Sequence, residues 1–435
     1  MKKISLYFVF TFVLIISGKS FCQQISSHFF GVNAWMPDTI GTRFLNGKLH
    51  KKWNEVKVSG AQIIRFGGIA PDKDMPSNYQ YIKMIDSIRN KGMEPVMQVP
   101  FNNNQYTASQ AAVIVRYVNI TRNKGIKYWI IANEPDNVYS YTTSSQVASY
   151  LKSFSSAMKA VDPSILIIGP ETSWYNTNII NGLTTPGGAS DVTGKDASGR
   201  YYVDVISFHA YPMHDGSQST RSGVISELTS SRSFQDDLVA LKARIANCNA
   251  YHNRTGTAAV TMAVTEANIN YHNSASDPLT GNGSSSFIGG QFWAEMMSIG
   301  MKQGIDFINF WSVIEGSNTG YLNNSDGKRK PCYYHFQMMA ENFKGSYCNA
   351  TDNLTNVKAF GSKDANQIVV MILNQEQTTN LNYTVRLNTD PVSGTDALKI
   401  NLNAGVSKEY SDIITNQSST LLVFDLSGNV EKLVL

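Results

Sequence analysis

The chain alternates between short apolar runs and longer amphipathic stretches from residue 29 to about residue 345. The apolar runs, such as Ile165-Leu166-Ile167-Ile168, are continuous, which is typical of parallel strands covered by helices on both faces. We predict eight such strands: Phe29–Trp35, Gln62–Gly68, Glu94–Pro100, Lys127–Glu134, Ile165–Pro170, Val203–His209, Ala259–Glu266 and Phe307–Ser312.

Amphipathic stretches separate these strands and predict helices. One apolar stripe with steps of four and three residues consists of Val147, Leu151, Phe154, Met158 and Val161. A second stripe runs from Phe234 to Cys248 with the same spacing. Eight strands alternating with helices predict an α/β fold, a (β/α)8 TIM barrel, and not an open doubly wound sheet. No glycine-rich phosphate-binding fingerprint follows the first strand, which disfavours a nucleotide-binding protein.

The pattern changes near residue 349 to short alternating strands separated by polar turns. Such spacing is typical of a small antiparallel β-sandwich. The clearest of these strands are Gln367–Leu373, Leu381–Leu387, Leu398–Leu402 and Thr420–Phe424. We therefore predict a barrel over residues 23–348 and a C-terminal β-sandwich over residues 349–435. Packing against the barrel is the expected role of the sandwich, and independent ligand binding is the alternative.

The first 22 residues have the composition of a secretory signal peptide. Lys2 and Lys3 precede an apolar run from Ile4 to Ile16, and small residues follow it. We predict cleavage near Cys22 and Gln23 and a secreted or periplasmic mature protein. An uncleaved anchor is the alternative, whereas Phe21 before the cysteine disfavours a lipoprotein.

Charge and cysteine content narrow the class of partner. Without the three lysines of the first 22 residues, 34 basic residues face 33 acidic ones, so no excess charge favours nucleic acid or an anionic membrane. Cys248 falls on an apolar helical stripe, and Cys332 and Cys348 bracket another predicted helix. We expect buried free thiols and no disulfide framework.

The predicted strands end on polar residues, which is where a barrel of this kind carries its active site. These residues are Arg65, Gln98, Asn133, Glu134, His209, Tyr211, Glu266 and Trp311. Long stretches rich in Gly, Ser, Asn and Asp follow three of the strands, at 173–201, 213–230 and 272–286. Loops of that size on one face predict a cleft.

Two glutamates stand out among these residues because each ends a buried strand. Glu134 closes the segment Ile130-Ile131-Ala132-Asn133-Glu134-Pro135, and Glu266 closes Ala263-Val264-Thr265-Glu266. Two carboxyl groups, one protonated and one ionised, are the minimal equipment for cleaving a glycosidic bond. A carboxyl pair at close range also raises the pKa of one member, which keeps a proton donor loaded near neutral pH.

Several segments together resemble the clan A glycoside hydrolases. Asn133-Glu134-Pro135 is similar to the end of that clan's fourth strand and Thr265-Glu266 to the end of its seventh. Ile206-Ser207-Phe208-His209-Ala210-Tyr211-Pro212 resembles its sixth strand, and Lys330-Pro331-Cys332-Tyr333-Tyr334 the entry to its last helix. A trailing β-sandwich makes the chain most similar to families 39, 44, 51 and 30.

The resemblance implies that Glu134 is the general acid/base and Glu266 the nucleophile. A retaining reaction needs the two carboxyls roughly 5–5.5 Å apart. Asn133 is expected to bond a sugar 2-hydroxyl, and Arg65 and Tyr211 to keep Glu266 ionised and oriented. The remaining expectations are that His209 donates to the acid/base or to a sugar hydroxyl, and that Trp311 stacks on a sugar ring.

Each of these residues also has a structural interpretation. Glu134 could cap a helix, because acidic residues suit a first turn. Arg65 could be an ion-pair partner inside the barrel, His209 a core histidine and Trp311 a packing residue. Glu171 and Glu315 also end apolar strands and could contact sugar, although helix capping or loop bonding is the favoured interpretation for both.

Other chemistries find little support in the sequence. The seven histidines lack the spacing of a zinc site, no Gly-x-Ser-x-Gly elbow follows a strand, and Asn323–Gly327 lacks the final acid of a calcium loop. We therefore predict an exported retaining β-glycoside hydrolase with no metal and no cofactor. Its expected partner is a β-linked plant or algal glycan such as a glucan, xyloglucan, xylan or mannan, preferably cut internally. An exo-acting β-glycosidase and a catalytically inactive carbohydrate-binding barrel are the alternatives.

Overall fold

The computed structural model describes residues 23–35, 52–216, 220–231, 233–272, 277–315, 319–388, 398–402, 404–425, 427 and 429–435. The predicted signal peptide, residues 1–22, lies outside this range. Within it, every helix is too short or too polar to cross a bilayer.

Eight parallel strands form a closed barrel in the part of the chain that the structure describes, which confirms the predicted fold class. A two-residue strand, β1 (Gln23–Gln24), precedes them. The barrel strands are β2 (Phe30–Asn33), β3 (Ile63–Phe66), β4 (Glu94–Val99), β5 (Tyr128–Ile131), β6 (Leu166–Thr172), β7 (Val205–Ala210), β8 (Thr261–Ala267) and β9 (Ile308–Phe310). Each pairs with the next in sequence, and β9 closes the barrel against β2.

Helices surround the barrel, and both predicted amphipathic helices are confirmed. The described helices are α1 (Trp53–Val58), α2 (Ile69–Lys73), α3 (Asn78–Arg89), α4 (Ala108–Val115), α5 (Pro135–Val138), α6 (Ser144–Val161), α7 (Thr177–Leu183), α8 (Arg221–Ser226), α9 (Phe234–Tyr251), α10 (Phe287–Gln303) and α11 (Pro331–Asn342). Helices α3, α4 and α6 each begin with a capping box, in which a Ser or Thr and a Gln three residues later satisfy each other's backbone N–H groups. The short helices α7 and α8 lie in stretches that the sequence predicted as loops.

The barrel interior consists of two layers of side chains. The lower layer is apolar and fully buried, and it contains Ile63, Val96, Ile130, Ile168, Val205, Ala263 and Phe307. Two residues further along five of these strands lie Arg65, Gln98, Ser207, Thr265 and Asn309, which are also fully buried. Because side chains two apart point to the same face of a strand, these polar residues form an upper layer at the carboxyl ends of the strands.

The C-terminal region is a two-sheet sandwich, as predicted. Its strands are β10 (Ser346–Cys348), β11 (Ala350–Thr351), β12 (Val357–Lys363), β13 (Gln367–Asn374), β14 (Leu381–Arg386), β15 (Leu398–Leu402), β16 (Glu409–Ile414), β17 (Ser418–Asp425) and β18 (Val430–Val434). One sheet has the order β1-β10-β12-β13-β17-β18 and the other β11-β15-β14-β16. The antiparallel prediction was wrong for one pair, since β14 and β15 run parallel.

Barrel and sandwich share one continuous hydrophobic core. The six-stranded sheet buries Phe360, Met371 and Leu421 in the same cluster as the barrel and its helices, and its other face packs on the four-stranded sheet. Its edge strand β1 comes from the start of the described chain, and β10 precedes residue 349. The sandwich therefore takes two strands from the N-terminal side of the predicted boundary.

Polar contacts fasten this interface. The buried Gln291 of α10 donates from Nε2 to the backbone oxygens of Asn374 (3.1 Å) and Ser418 (3.0 Å). Glu295 of the same helix lies 3.8 Å from the Lys358 ammonium of β12. These contacts hold the sheet against the barrel, which is the packing role expected of the sandwich.

The three cysteines of the described chain are buried free thiols, which confirms their predicted state. Cys248 lies on α9, Cys332 on α11 and Cys348 on β10. Burial raises the pKa of the Cys332 thiol to about 11. A thiol that stays protonated is a poor nucleophile, so Cys332 is structural.

Candidate active site

A cavity of about 720 Å³ opens over the upper layer of the barrel. Side chains from the segments that follow β5, β6, β7, β8 and β9 line it. They are Glu134, Asn137, Ser173, Trp174, Tyr211, His214, Glu266, Tyr271, Trp311 and Glu315. Four residues predicted from the sequence, Glu134, Tyr211, Glu266 and Trp311, thus share one cavity, and Arg65, Asn133 and His209 lie beneath them.

Glu134 reaches the cavity through an unusual backbone turn after β5. Glu134 has a φ of 45° and Ala132 a φ of 69°. The Glu134 N–H donates to the Glu171 carbonyl at 2.9 Å. The side chain accepts from Asn137 Nδ2 at 3.0 Å and lies 2.9 Å from His209 Nδ1. Although Glu134 precedes α5, its carboxylate bonds no backbone N–H of that helix. The helix-capping interpretation is therefore wrong.

Glu266 enters the same cavity from β8 and is held at both of its oxygens. Tyr211 donates its hydroxyl to Oε1 at 2.6 Å, and Arg65 donates from Nη1 to Oε2 at 2.9 Å. One carboxylate oxygen each of Glu134 and Glu266 and a ring nitrogen of His209 lie within 4.8 Å of one another. That separation is far below the 6.5–9.5 Å typical of inverting pairs and close to the spacing of retaining pairs.

Arg65 lies fully buried beneath Glu266 and connects five side chains. Besides the bond to Glu266, it donates to Asn33 Oδ1 (2.9 Å), Asn133 Oδ1 (2.8 Å), Glu171 Oε2 (2.9 Å) and Gln98 Oε1 (3.5 Å). The ion-pair interpretation of this arginine is thus confirmed, while its role in keeping Glu266 oriented for catalysis stays a prediction. Asn133 is nearly fully buried, and its contact with a sugar hydroxyl stays a prediction.

Glu171 is the residue whose place the sequence reasoning missed. It neither caps a helix nor bonds a loop: its side chain is completely buried inside the barrel. Oε1 accepts from the hydroxyls of Ser207 (2.5 Å) and Thr265 (2.7 Å). Burial disfavours its charge, but Arg65 and His209 more than offset this and lower the pKa of Glu171 to about 2. Glu171 is therefore ionised.

A bulge in β6 explains how Glu171 reaches the interior. The register of β6 against β7 shifts between Pro170 and Thr172, and Glu171 has a φ of 59°. A bulged residue leaves the strict alternation of the strand, so its side chain can turn to a face that the pattern does not predict. The one sequence signal was a glutamate at the end of an apolar run, and Glu315 shows the same signal with a different outcome, since it lines the cavity.

His209 lies at the centre of the carboxylates. Nδ1 is 2.9 Å from Glu134 Oε1 and 3.7 Å from Glu266 Oε2, and Nε2 is 3.3 Å from Glu171 Oε2. Burial lowers the pKa of His209, but the charge of Glu266 and the bonds to Glu134 and Glu171 prevail and raise it to about 10. At neutral pH this ring is an imidazolium whose two N–H groups are both donors.

The carboxyl pair is polarised by its protein neighbours. Burial disfavours the charge of Glu134, but its hydrogen bond to His209 and the imidazolium charge outweigh this and lower its pKa. Burial and the nearby charge of Glu134 instead raise the pKa of Glu266, despite His209 and Arg65. The protein groups by themselves therefore favour protonation of Glu266 over Glu134, which is opposite to the roles that the clan resemblance implies.

Aromatic side chains form the walls of the cavity. Trp311 is half-buried and its ring lies over Gly68, where a Cβ atom in place of the glycine hydrogen would come within 2.9 Å of the indole. Gly68 has a φ of 115°, so both its conformation and this close approach require glycine. Trp174 (58% exposed) and Tyr271 (52% exposed) are further aromatic residues, which the sequence reasoning did not single out.

The cluster of Glu134, His209 and Glu266 has the spacing of a metal site. Its electrostatics favour a proton instead, because His209 is itself a cation with both nitrogens directed at carboxylates. The Arg65 guanidinium already neutralises Glu266 from below. A divalent ion would have to displace the His209 proton, so the absence of a metal requirement stays our prediction.

Part of the chain matches the model of a known protein family. The family model described as cellulase (glycosyl hydrolase family 5) matches residues 111–277, a segment that includes both Glu134 and Glu266 but less than half of the chain. No curated protein sequence matches the chain.

Solved structures match nearly the whole chain in fold. A bifunctional glucanase-xylanase from a metagenome library aligns with a TM-score of 0.64 at 15% identity, over 92% of this chain and 96% of the other. The α-L-arabinofuranosidase of Thermotoga maritima gives 0.62 at 15% identity over 95% of each chain. A family 44 xyloglucanase of Paenibacillus polymyxa gives 0.61 at 13% identity over 92% and 96%.

Structures of families 39 and 51 also share the fold, while the resemblance to family 30 stays a prediction. At identities this low, these structures show the fold alone. In the part that the family model matches and in its fold, the chain is similar to clan A glycoside hydrolases of families 5, 39, 44 and 51.

Proposed function

We propose that the protein is a secreted β-glycoside hydrolase that cleaves a β-linked plant or algal polysaccharide, with Glu134 as acid/base and Glu266 as nucleophile. One observation carries the proposal: two carboxylates from the ends of β5 and β8 face one cavity with oxygens within 4.8 Å of each other. That distance leaves no room for the water molecule of an inverting reaction between them.

The reaction takes two steps. In the first, Glu266 attacks carbon one of the sugar from below while Glu134 gives its proton to the departing glycosidic oxygen, which leaves a covalent glycosyl ester on Glu266. In the second, Glu134 takes a proton from water as the water oxygen attacks the same carbon. The ester bond breaks, and Glu266 leaves as a carboxylate. Inversion occurs twice, so the configuration is retained.

The surrounding residues support these roles in distinct ways. Arg65 and Tyr211 bond the two oxygens of Glu266, which fixes the direction of its attack. His209 holds Glu134 from one side and Asn137 holds it from the other. In this scheme Asn133 bonds the sugar 2-hydroxyl and Trp311 stacks on the ring of the sugar that is cleaved.

The proton preference of the carboxyl pair sharpens the first test. The scheme requires Glu134 to hold the proton when the bond breaks, whereas the protein groups by themselves favour Glu266. A bound substrate places its glycosidic oxygen beside one carboxyl and its anomeric carbon beside the other, and this placement decides which glutamate acts as the acid. The role of each glutamate is therefore measured separately.

The test begins with reducing-sugar release from soluble β-glucan, xyloglucan, xylan and mannan by the wild type, Glu134→Gln and Glu266→Gln. Activity on one polymer that falls by about 10³-fold or more in both variants supports the proposal. Activity that survives either substitution at near wild-type level contradicts it.

Azide then assigns the two roles. With an activated aryl glycoside of the sugar so identified, Glu134→Ala should keep its first step and yield a β-glycosyl azide. Glu266→Ala should stay inactive until azide replaces the nucleophile and gives the α-azide. The reverse pattern would exchange the two assignments.

An exo-acting β-glycosidase is the second candidate function. The structural neighbours include a monomeric β-xylosidase of Caulobacter crescentus as well as the α-L-arabinofuranosidase, alongside the two polymer-degrading enzymes. Product analysis decides between them: internal cleavage lowers polymer viscosity early, whereas exo cleavage releases only monosaccharide or disaccharide. If the wild type cleaves none of the glycans but both the wild type and Glu266→Ala bind one of them, the binding-only alternative is supported instead.

Export is a separate part of the proposal. The composition of residues 1–22 supports it, and a cut before Gln23 would leave β1 complete. Mass spectrometry of the mature protein should find Gln23 at or near its N-terminus. A mature protein that retains Met1 would support the uncleaved-anchor alternative.

A further inference from the structure

We propose that Trp174 forms a platform for the leaving group, so that the preferred substrate carries a sugar ring, and not a small aglycone, on the far side of the scissile bond. This inference rests on the proposed function and names the substrate class of that same site. Its evidence is the place, the exposure and the anchoring of one aromatic side chain.

The topology puts Trp174 on the Glu134 side of the cavity. Trp174 follows β6, the neighbour of β5, whose end carries Glu134, and both residues line the cavity. Tyr211, Tyr271 and Trp311 line it from the segments after β7, β8 and β9. Because a general acid must reach the departing oxygen, the leaving group lies on the wall that carries the acid.

Trp174 presents an exposed aromatic face where a ligand in the cavity could contact it. Fifty-eight per cent of its surface is open to solvent, although it borders a cavity. Indole offers a broad apolar face with one polar edge, which suits the carbon-bound hydrogens of a pyranose ring. Asn137 and Ser173 line the cavity next to it and offer polar groups to the hydroxyls of such a ring.

The segment that carries Trp174 is fastened to the turn that carries Glu134. Asp136 accepts from the Ser173 N–H at 2.9 Å and from Asn176 Nδ2 at 3.0 Å, on its two different oxygens. The Glu134 N–H also bonds the Glu171 carbonyl at 2.9 Å. The backbone on both sides of Trp174 is therefore held relative to Glu134 without substrate, which favours a preorganised subsite.

The experiment compares two substrates that share the cleaved sugar. One is an oligosaccharide of the glycan found by the polymer panel, and the other is the β-glycosyl fluoride of the same sugar, whose leaving group cannot reach Trp174. Trp174→Ala should lower kcat/KM for the oligosaccharide about tenfold and leave the fluoride unchanged, while Trp174→Phe should keep part of the activity. Tyr79→Ala, at an equally exposed aromatic residue on α3, is the matched control.

The outcomes separate the two proposals. Equal losses on both substrates, or no loss on the oligosaccharide, would overturn the platform while leaving the hydrolase intact. A wild type inactive on both substrates would refute the proposed function itself.

A second inference comes from the buried charges. Within the described residues, the carboxylates of Glu134, Glu171 and Glu266 contact the cations Arg65 and His209 at the floor of the cavity. We infer that Glu171 is a positioning residue, which holds Nε2 of His209 and so directs Nδ1 of the same ring at Glu134.

The geometry explains how it does so. Glu171 Oε2 lies between Arg65 Nη2 (2.9 Å) and His209 Nε2 (3.3 Å), while Ser207 and Thr265 occupy Oε1. With Nε2 facing Glu171, the opposite ring nitrogen faces Glu134. All these groups are inside the barrel, where removing one charge changes the proton affinity of every other group.

Glu171→Gln tests this role without depending on catalysis. In a sample with labelled histidine, the NMR titration of His209 should move to lower pH, because the imidazolium loses one neighbouring carboxylate. The alkaline limb of the pH–activity profile should move the same way. Ser207→Ala and Thr265→Val each remove one donor to Glu171 but leave its charge, so they should leave the His209 titration close to that of the wild type.

Glu295→Gln is the matched control, since it removes a buried carboxylate at the barrel–sandwich interface. It should leave the His209 titration unchanged. A Glu171→Gln protein that loses stability but keeps the wild-type His209 titration and pH profile would show a merely structural role and overturn the inference.

Discussion

The lower and upper layers of the barrel interior are equally buried but opposite in chemistry. The lower layer consists of seven apolar side chains. The upper layer, two residues further along five of these strands, holds an arginine, two amides and two hydroxyls, and the buried His209, Glu171 and Glu266 lie next to it. Burial alone therefore does not determine the charge state of a residue in this barrel. The partners that the neighbouring strands supply determine it.

Two fully buried carboxylates show the same lesson. Glu171 has two cations and two hydroxyls within bonding distance, and its pKa lies near 2. Asp72, at the end of α2, accepts a hydrogen bond from the Phe101 N–H, but burial prevails and raises its pKa to about 7. Four partners keep the first acid charged, and the second is neutral over much of the acidic range.

The largest expected effect comes from removing the cation of the upper layer. Arg65→Met would leave Glu171 and Glu266 without their shared partner. Breaking a buried ion pair from one side typically costs about 3–5 kcal/mol of the free energy of unfolding. Urea unfolding at pH 7 should show this loss, and it should shrink as the pH falls and the carboxylates become protonated. A loss that is independent of pH would argue against the charge-based account.

A substitution in the lower layer should have a smaller effect on the free energy of unfolding than Arg65→Met. It should also lower stability without lowering catalysis. Ile130→Ala removes three carbons from a fully buried position, which typically costs about 2–4 kcal/mol. The layer lies below the cavity, so kcat/KM per folded molecule should stay within about twofold of wild type. A large loss of kcat/KM in fully folded protein would show that the two layers are coupled more tightly than their chemistry suggests.

The contribution of the interface carboxylate Glu295 to stability should depend on pH. Burial outweighs the Lys358 charge and raises its pKa from 4.5 to about 7. The protonated form therefore contributes stability below pH 4.5, and that contribution is lost as the pH rises through 7. Glu295→Gln should gain stability relative to wild type over this window, by at most about 3 kcal/mol. Paired thermal melts at pH 4.5 and 8 check this, and a pH-independent difference would contradict it.

The smallest effect is expected for the thiols. Cys248, Cys332 and Cys348 are free and buried, so a reducing agent should leave the melting temperature and the activity unchanged. A drop in melting temperature on reduction would reveal a disulfide.

The barrel could be predicted because its signals are local. Most barrel strands contain a short apolar run, and each predicted span overlaps an observed strand. The sandwich was harder, because Val357–Lys363, Glu409–Ile414 and Val430–Val434 were not among the strands singled out. Strand Glu409–Ile414 contains three polar or charged residues among its six, so its apolar signal is weak.

The candidate site likewise contains residues that could be predicted from the sequence and residues that could not. Arg65 lies at a regular strand end and could be placed from the sequence alone, and the resemblance to a known motif placed Glu266 although the register of β8 shifts there. Glu171 could not, since a bulge changes the face on which it lies. Trp174 could not either, because its significance depends on Asp136, which fastens two segments that are nearly forty residues apart in the chain. Contacts of that range leave no periodic trace in a sequence.

The pairing of β1 with β10 has a consequence for the order in which the protein can assemble. Gln24 bonds Gly345 across a separation of 321 residues, and β2 likewise waits for β9 to close the barrel. At typical synthesis rates of about 5–20 residues per second, the earliest strands stay without their partners for roughly 15–60 s. The ring of strands and the sheet that covers it are therefore completed together, late, by the return of the chain to its own beginning.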